Sequence, residues 1–253
     1  MKIIAVIPAR MGSTRFPGKP LADILGLPMV EHVRRRVALS KVFSDVVVAT
    51  CDQEIMNVVI NSGGHAVMTA ATHQRCTGRI AEASEKLDAD IIINVQGDEP
   101  LVHPEMFIPL VAPLKKSPSL KCVNLMRVIT KEEEYLNQNV VKVVFDMKDN
   151  ALFFSREPLP SGKMTNAPFD KYKQLGVIAF RKEFLLKFTQ FEPTPLEVIE
   201  SNDMLRIIEN GYTVRMVKSE FPVVGVDTTT DLEKVKKIMK TDPLFPHYYP
   251  QTR

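Results

Sequence analysis

The sequence contains few of the features that mark secreted, membrane-spanning or nucleic-acid-binding proteins. Its 253 residues include only three cysteines, Cys51, Cys76 and Cys122, and no CxxC pair. Such a sparse, odd count excludes a disulfide framework and is typical of a reducing compartment. No apolar run approaches the roughly 18 residues of a membrane-spanning helix, and a strand pattern begins at residue 3, which leaves no room for a signal peptide. The formal net charge of +3 requires neither nucleic acid nor a membrane as a partner, so we expect a cytoplasmic protein.

Two glycine signatures of nucleotide-binding proteins are also absent. The G-x-G-x-x-G fingerprint does not occur, which argues against an NAD-linked oxidoreductase. The loop after the first strand is not a Walker A loop, because five residues separate Gly12 from Gly18 and Pro20 follows Lys19. A Walker A loop has a shorter spacing and needs a serine or threonine after its lysine.

Apolar, β-branched segments alternate with helical patterns in the first half of the chain. We predict strands at residues 3–8, 46–50, 66–69 and 91–96, and helices at residues 29–39, 52–61 and 78–87. Strands that are continuously apolar and separated by helices are typical of a parallel sheet covered on both faces. The pattern predicts a doubly wound α/β fold.

The second half has a different pattern. We predict closely spaced strands at residues 123–128, 140–146 and 151–154, with a turn at Asp149-Asn150, and further strands at 176–181 and 213–218. Helices are predicted at 182–188 and 201–209, and a final helix from Asp231 capped by Thr230. The pattern indicates an antiparallel β insertion in a mostly parallel sheet. We divide the single domain into residues 1–115, 116–220 and 221–253.

Two smaller expectations concern the surface. The run Arg34-Arg35-Arg36 is interpreted as the solvated face of a helix, because Val30, Val33 and Val37 supply the apolar stripe of that helix. The proline-containing tail from residue 243 shows no periodicity and is expected to pack on the surface.

The loop after the first strand concentrates positive charge. Arg10, Arg15 and Lys19 lie within a few residues of one another, and Gly12 and Gly18 leave backbone N–H groups accessible to an anion. Open α/β sheets bind ligands at this edge. The loop is therefore suited to a polyphosphate, and a basic surface loop with two turn glycines is the alternative.

Two carboxylates follow predicted strands and are candidate metal ligands. Asp98 ends the fourth strand, on the same edge as the basic loop, and Asp227 precedes a turn. A carboxylate facing a triphosphate needs a cation between them, and Mg²⁺ is commonly held by one or two carboxylates with phosphate oxygens. A helix start is the alternative interpretation of Asp227. Together the loop and the carboxylates indicate nucleotidyl transfer.

Strings spread over nearly the whole chain resemble the 3-deoxy-manno-octulosonate (Kdo) cytidylyltransferases. They are residues 7–10 (IPAR), 12–21 (GSTRFPGKPL), 73–74 (HQ), 95–100 (VQGDEP), 141–144 (VKVV), 154–156 (FSR), 195–197 (PLE), 200–201 (ES), 205–206 (LR), 210–211 (NG) and 225–228 (GVDT). The resemblance implies a Rossmann-like nucleotidyltransferase fold. It also implies a cytoplasmic, Mg²⁺-dependent homodimer that transfers CMP from CTP to the anomeric hydroxyl of Kdo for lipopolysaccharide or capsule synthesis.

The same resemblance implies roles for individual residues. The catalytic residues would be Arg10, Lys19 and Asp98, and the metal ligands would be Asp98 and Asp227. CTP would be bound by Ala9, Arg10, Gly12, Ser13, Lys19, His73 and Gln96. The acidic sugar would be bound by Arg15, Gln96, Arg156, Gln174 and Glu200, with Arg156 facing its carboxylate.

The chain departs from the family at several of these places. In the base-side loop, residues 73–79, the family usually has the string His-x-Ser-Gly-Thr-Asp/Glu-Arg near the nucleotide base, and here Arg75, Cys76 and Gly78 replace the serine, the glycine and the acid. Arg75 is interpreted as either a phosphate contact or, preferably, an exposed side chain. Gln174 replaces a histidine that faces the sugar, either as a tolerated change or as an adaptation to a modified sugar such as 8-amino-Kdo. Cys51 replaces an aspartate and is expected to be a small buried residue.

Two other functions remain open at this stage. A cytidylyltransferase for another acidic sugar, a nonulosonate, is disfavoured by Arg15 and Pro20, since sialate-type enzymes typically carry lysine and asparagine there. A non-catalytic nucleotide-sugar-binding paralogue is disfavoured by the presence of both Asp98 and Asp227.

Overall fold

The computed structural model describes residues 1–12, 16–164 and 167–249. The chain divides into two compact units. The first unit comprises Met1–Phe107 and Phe221–Arg253, and the second comprises Ile108–Glu220. Among the helices described, none is long and apolar enough to cross a membrane.

The strands and helices occur along the chain in this order: β1 (Ile3–Ala9), β2 (Asp23–Ile24), β3 (Leu27–Pro28), α1 (Met29–Ala38), β4 (Asp45–Thr50), α2 (Gln53–Asn61), β5 (His65–Met68), α3 (Cys76–Glu85), β6 (Ile91–Asn94), α4 (Phe107–Lys116), β7 (Cys122–Val128), α5 (Glu132–Leu136), β8 (Lys142–Phe145), β9 (Ala151–Ser155), β10 (Tyr172–Arg181), α6 (Lys182–Phe188), α7 (Pro195–Glu200), α8 (Met204–Glu209), β11 (Val214–Lys218), α9 (Thr229–Met239) and α10 (Phe245–Tyr248).

The first unit contains four parallel strands. β1 lies between β4 and β6, and β5 pairs with the outer side of β4. Every residue of β1 except Pro8 is buried, as expected for a strand covered on both faces. The predicted parallel α/β architecture is confirmed, and each of the four predicted strands lies within two residues of its observed bounds.

The second unit contains the predicted antiparallel structure. β10 pairs antiparallel with β7, while β11 runs parallel to β7. β8 and β9 form an antiparallel hairpin, and β8 pairs with β10 where Lys142 lies opposite Lys173. The register of β10 shifts between Gln174 and Ile178, so a bulge interrupts its ladder with β7.

The C-terminal segment differs from expectation in two ways. Helix α9 is capped by Thr228 rather than Thr230, because the Thr228 side chain and Asp231 form a capping box. The tail is also not confined to the surface, since Phe245 and Tyr248 are buried in a cluster with Ile24.

The arginine run is not a solvated helix face. Arg36 is only 2% exposed; it donates to Val102 O at 2.9 Å and pairs with Asp242. Arg34 and Arg35 both bind the carboxylate of Glu31, which is fully buried. The prediction was wrong because acceptors on other segments and on the same helix satisfy these cations, and no single-helix pattern shows them.

Candidate active site

The ends of β1 and β6 approach one another closely at the edge of the first unit's sheet. A Cβ at Gly97 would lie 2.6 Å from the carbonyl oxygen of Pro8, so only glycine fits between the two strand ends. This close approach brings the loop after β1 next to Asp98. The sequence-based expectation that the loop and Asp98 share one edge is therefore met by the geometry.

The described part of the loop is anchored by backbone hydrogen bonds. Met11 N donates to Asp52 Oδ2 at 2.8 Å, and Gly18 N donates to Met11 O at 3.2 Å. Gly18 has a φ of 71°, a left-handed conformation that favours glycine, and it starts the short helical turn that carries Lys19. Ser13 and Arg15, two of the predicted ligand-binding residues, lie outside the described residues.

Lys19 joins the two predicted metal ligands. Its Nζ lies 2.6 Å from Asp98 Oδ2 and 3.5 Å from Asp227 Oδ1, and it donates to Val226 O at 2.9 Å. Val226 N donates in turn to Asp98 O at 2.9 Å, which holds the two acidic segments together. The three residues predicted from separate segments therefore form one cluster, in which an ammonium separates two carboxylates.

Glu99, which follows Asp98, adds no charge to this cluster near neutral pH. Its side chain is buried, and Oε2 has no hydrogen-bond partner among the described residues. Burial, with a further contribution from the charge of Asp98, raises the pKa of Glu99 to about 8. The cluster therefore carries the charges of Asp98, Asp227 and Lys19.

A cavity of about 340 Å³ opens beside Lys19 and Asp98. Seven of the predicted site residues line it, namely Ala9, Arg10, Gly12, Lys19, His73, Gln96 and Asp98. Arg10 is exposed. Arg75, Cys76 and Arg79 also contribute to the lining. Four of the lining residues are lysine or arginine, so the cavity is strongly basic and suits a polyphosphate.

The departures in the base-side loop are structurally coupled. His73 Nε2 pairs with the carboxylate of Glu82, which also accepts from Ala70 N at 3.0 Å. The hydrogen bond from His73 is the main reason that the pKa of Glu82 lies below its ordinary value. A Cβ at Gly78 would lie only 3.0 Å from His73 Nδ1, so a larger residue there would press on the ring. Glu82, one helical turn after Gly78, supplies the carboxylate that pairs with His73.

Arg79 is a candidate ligand-binding residue that the residue-by-residue assignment missed. It is 3% exposed, and its Nη1 donates to Thr69 Oγ1 at 2.6 Å and to Ala70 O at 3.3 Å. Its Nη2 is buried without a partner among the described residues. Buried donors in native proteins are usually paired, so this one indicates an acceptor on a ligand. The arginine that ends the family's base-side string was the available signal.

Two substituted positions differ from the sequence-based expectations. Arg75 is half-buried and lines the cavity, so the preferred interpretation of an exposed side chain is wrong. Cys51 is half-buried rather than buried, and its Sγ donates to Asp52 Oδ2 at 3.5 Å.

In the second unit, Arg156 and Glu200 lie together as predicted for a sugar site. The Glu200 carboxylate accepts from Ser155 Oγ at 3.0 Å and from Arg156 N at 2.8 Å. The guanidinium of Arg156 donates instead to backbone oxygens, to Glu200 O at 2.9 Å and to Gln138 O at 3.0 Å. These partners are neutral carbonyls, so the positive charge of the guanidinium is not neutralised by them and can attract an acidic ligand.

Lys142 holds the backbone at Arg156 in place. Its side chain is fully buried, and Nζ donates to Asn137 O at 2.9 Å, Val140 O at 2.8 Å and Arg156 O at 2.5 Å. Burial lowers the pKa of Lys142 from its ordinary value. The ammonium therefore ties the backbone of Arg156 to the segment that precedes β8.

The carboxamide of Gln174 has one defined orientation. Asn124 is fully buried and donates through Nδ2 to Leu175 O at 2.8 Å, so its Oδ1 must accept from Gln174 Nε2 at 2.7 Å. At the other end, Asn202 Oδ1 accepts from Met204 N, and its Nδ2 donates to Gln174 Oε1 at 2.7 Å. Each amide carries two N–H groups and two lone pairs, so Gln174 retains one donor and one acceptor site.

These features define the class of protein. The first unit is a parallel α/β nucleotide-binding unit with a basic cavity and an adjacent pair of carboxylates, an arrangement suited to nucleotidyl transfer. The profile of the family described as Cytidylyltransferase matches residues 4–220. The chain belongs to this cytidylyltransferase family.

Individual relatives agree with this membership. The 3-deoxy-manno-octulosonate cytidylyltransferase of Geobacter metallireducens is 46% identical over 245 residues, 93% of this chain and 96% of that protein. The protein of the same name from Geobacter sulfurreducens is 44% identical over 250 residues, 95% of this chain and its own full length.

Among solved structures, a CMP:2-keto-3-deoxy-manno-octonic acid synthetase complexed with CTP matches with a TM-score of 0.89 and 37% identity, covering 95% of this chain and 99% of that one. A cytidylyltransferase from Leptospira borgpetersenii is 18% identical with a TM-score of 0.63, over the whole of this chain and 99% of that one, and shows the fold alone.

Proposed function

We propose that the protein transfers the CMP group of CTP to the anomeric hydroxyl of 3-deoxy-manno-octulosonate and releases pyrophosphate. The observation that carries this proposal is the cluster of Lys19, Asp98 and Asp227 beside the basic cavity. Relatives that align over more than nine-tenths of the chain carry the corresponding name, and a similar structure is titled as a complex with CTP.

The cavity accounts for the nucleotide. Arg10, Lys19 and Arg75 supply positive charge for the three phosphates. The unpaired Nη2 of Arg79 supplies a donor for an acceptor on the base. Cytosine presents two adjacent acceptors on its pairing edge, whereas uracil presents an N–H between its carbonyls. A guanidinium N–H that faces N3 of the base favours CTP over UTP, because N3 is an acceptor in cytosine and carries a proton in uracil.

Asp98 and Asp227 fit Mg²⁺ as ligands. Both carboxylates reach a single cationic atom, Lys19 Nζ, so they are close enough together to face one further cation. No group of three or more acidic, histidine or cysteine side chains with metal-binding geometry occurs among the described residues. Mg²⁺ typically takes one or two carboxylates and completes its coordination with phosphate oxygens and water, so two carboxylates suffice. When bound, the ion would neutralise charge on the phosphates and on the leaving pyrophosphate.

The protein's own side chains have distinct tasks in this reaction. The anomeric oxygen forms a new bond to the α-phosphorus and releases its proton to solvent, while the bond to the leaving pyrophosphate oxygen breaks. Lys19 stabilises the charge that builds up on the phosphate oxygens, and Arg10 and Arg75 hold the phosphates in line. In the second unit, Arg156 binds the carboxylate of the sugar, and Gln174 and Glu200 orient its hydroxyl groups.

The resemblance extends the proposal to a cytoplasmic homodimer that supplies lipopolysaccharide or capsule synthesis. Several large apolar side chains of the second unit are exposed, as a subunit contact would require; they are Leu136, Met147, Leu152, Val198 and Ile199.

The test is pyrophosphate release from CTP and Mg²⁺ in the presence of Kdo, 8-amino-Kdo or a nonulosonate. We expect turnover with an octulosonate, and loss of turnover when Mg²⁺ is chelated. Asp98→Asn should abolish turnover and leave the fold intact, because it removes the negative charge of a metal ligand without changing the side-chain shape. Asp88→Asn, at an exposed carboxylate, is the matched control. Near-normal activity of Asp98→Asn would contradict the metal assignment, and activity only with a nonulosonate would contradict the proposed acceptor.

A further inference from the structure

One of the three thiols faces the nucleotide cavity. Cys76 is half-buried, lines the cavity and accepts a hydrogen bond on Sγ from Gln96 Nε2 at 3.8 Å. Cys122 is fully buried, and burial raises the pKa of its thiol well above the ordinary value. Cys51 does not line the cavity.

The surroundings of Cys76 are built for an anion. Arg79, one helical turn later, is buried with an Nη2 that has no partner among the described residues, and it lines the same cavity. Arg10, Lys19 and Arg75 complete the positive lining. An anionic reagent that enters the cavity for these cations therefore arrives next to the Cys76 sulfur.

The position of Cys76 in its helix favours reaction. Cys76 is the first residue of the ten-residue helix α3, whose N-terminus has no side-chain cap and no acidic residue in its first turn. Helix N-termini and neighbouring cations stabilise a thiolate, which is the nucleophilic form of cysteine.

We propose that Cys76 is a reversible modification site that exchanges with low-molecular-weight anionic disulfides, and that the modification and CTP exclude one another. The Cys76 thiolate attacks one sulfur of the disulfide, the S–S bond breaks, and the other half leaves as a thiolate that takes up the proton lost from Cys76. Cys76 is oxidised to a mixed disulfide, and half of the reagent is reduced to a thiol. The attached group occupies the cavity of about 340 Å³ beside Lys19. The inference rests on the proposed nucleotide site and not on the identity of the sugar.

The test treats the intact protein with glutathione disulfide, with and without CTP, and follows each cysteine by peptide mapping and mass spectrometry. We expect Cys76 to react first and Cys122 to stay reduced. If CTP-bound protein does not react, CTP at about 100 times its Kd should slow the reaction about 100-fold, because about 1% of the protein is then unliganded. Pyrophosphate release should fall in proportion to the modification and return after treatment with dithiothreitol.

Two serine variants serve as controls. Cys51→Ser should keep both the labelling of Cys76 and its protection by CTP. Cys76→Ser should show the same activity before and after exposure to the disulfide, each sample being compared with itself. Preferential reaction at Cys51, or labelling of Cys76 that CTP does not slow in protein that binds CTP and releases pyrophosphate, would overturn the thiol proposal alone. Labelling protected by CTP, with no release of pyrophosphate from CTP in the presence of any acidic sugar, would leave the thiol proposal standing and would overturn the proposed transfer.

Discussion

Two lysines, one in each unit, occupy opposite kinds of environment. Lys19 Nζ lies between the carboxylates of Asp98 and Asp227 at the edge of the basic cavity. Lys142 is fully buried, and its Nζ is surrounded by three backbone carbonyl oxygens. The first ammonium is held by opposite charge that a ligand can compete for, whereas the second is held by neutral acceptors that belong to the fold.

The same contrast applies to the rest of each unit's candidate site. The first unit gathers arginine, lysine and aspartate around a cavity, where attraction acts over several ångströms and suits a highly charged nucleotide. The second unit holds Arg156 by carbonyls and Gln174 by amides, where directional hydrogen bonds fix orientation. The first site therefore selects charge, and the second selects shape and the positions of donors and acceptors.

The largest expected effect follows from removing the charge of Lys19. Lys19→Met should lower kcat by about 10²–10³-fold, the usual loss when one group that stabilises transition-state charge is removed. The free energy of unfolding should change little, because Asp98 and Asp227 are 34% and 49% exposed and water can replace the ammonium. Steady-state pyrophosphate release and denaturant unfolding measure the two effects. Lys41→Met, at an exposed lysine, should alter neither. If Lys19→Met lowered the free energy of unfolding, the proposed contrast between Lys19 and Lys142 would be wrong.

Lys142→Met should show the reverse pattern. The change leaves three backbone carbonyl oxygens without the donor of a fully buried side chain, so the free energy of unfolding should fall by about 3 kcal/mol. Denaturant unfolding is the measurement, and Lys148→Met in the neighbouring turn is the matched control. If stability is unchanged while activity falls, Lys142 acts on the substrate and the two lysines are alike.

His32 tests whether the first unit also depends on a neutral buried group. Its Nε2 donates to Ile24 O at 2.7 Å and its Nδ1 accepts from Tyr248 Oη at 2.9 Å, while burial lowers its pKa from 6.5 to about 4. Between pH 4 and pH 6.5 the unfolded state therefore binds a proton at His32 that the folded state does not bind. The contribution to stability is complete above pH 6.5 and is lost as the pH falls towards 4, by about 3 kcal/mol at 1.36 kcal/mol per unit.

The measurement is the free energy of unfolding against pH. His32→Gln should remove this part of the pH dependence, whereas His247→Gln, at an exposed histidine, should retain it. If the free energy of unfolding of His32→Gln depended on pH as it does in the unmodified protein, groups other than His32 would be responsible for the loss of stability at low pH.

The smallest expected effect concerns Gln174 in the second unit. Gln174→Glu keeps the shape of the side chain but places a carboxylate oxygen against Asn124 Oδ1, so two acceptors face one another. We expect KM for the sugar to rise about tenfold, equivalent to about 1.4 kcal/mol, and KM for CTP to stay constant. Protonation of the new carboxyl at lower pH restores a donor and should recover part of the affinity. Gln190→Glu, at an exposed glutamine, is the control. An unchanged sugar KM would mean that the orientation of Gln174 is irrelevant to binding.

The sequence alone determined the features that depend on local pattern. Continuous apolar segments separated by helical periodicity predicted the four parallel strands of the first unit, because a strand covered on both faces must be apolar throughout. The basic loop and Asp98 were assigned to one edge because parallel strands end together. Local pattern did not predict α4, since Pro113 lies inside that helix.

Which polar side chains have hydrogen-bond or ion-pair partners, and which residues those partners are, depends on tertiary contacts. Helical periodicity places Arg36 in a solvated run, yet its partner Asp242 is 206 residues away in sequence. Gln174 is fixed by Asn124 and Asn202, which come from different elements. The burial of Tyr248 depends on a surface provided by Ile24 and its neighbours. Periodicity reports the side of a helix or strand that faces the core, whereas a hydrogen bond or ion pair depends on which distant segment the fold brings to that place.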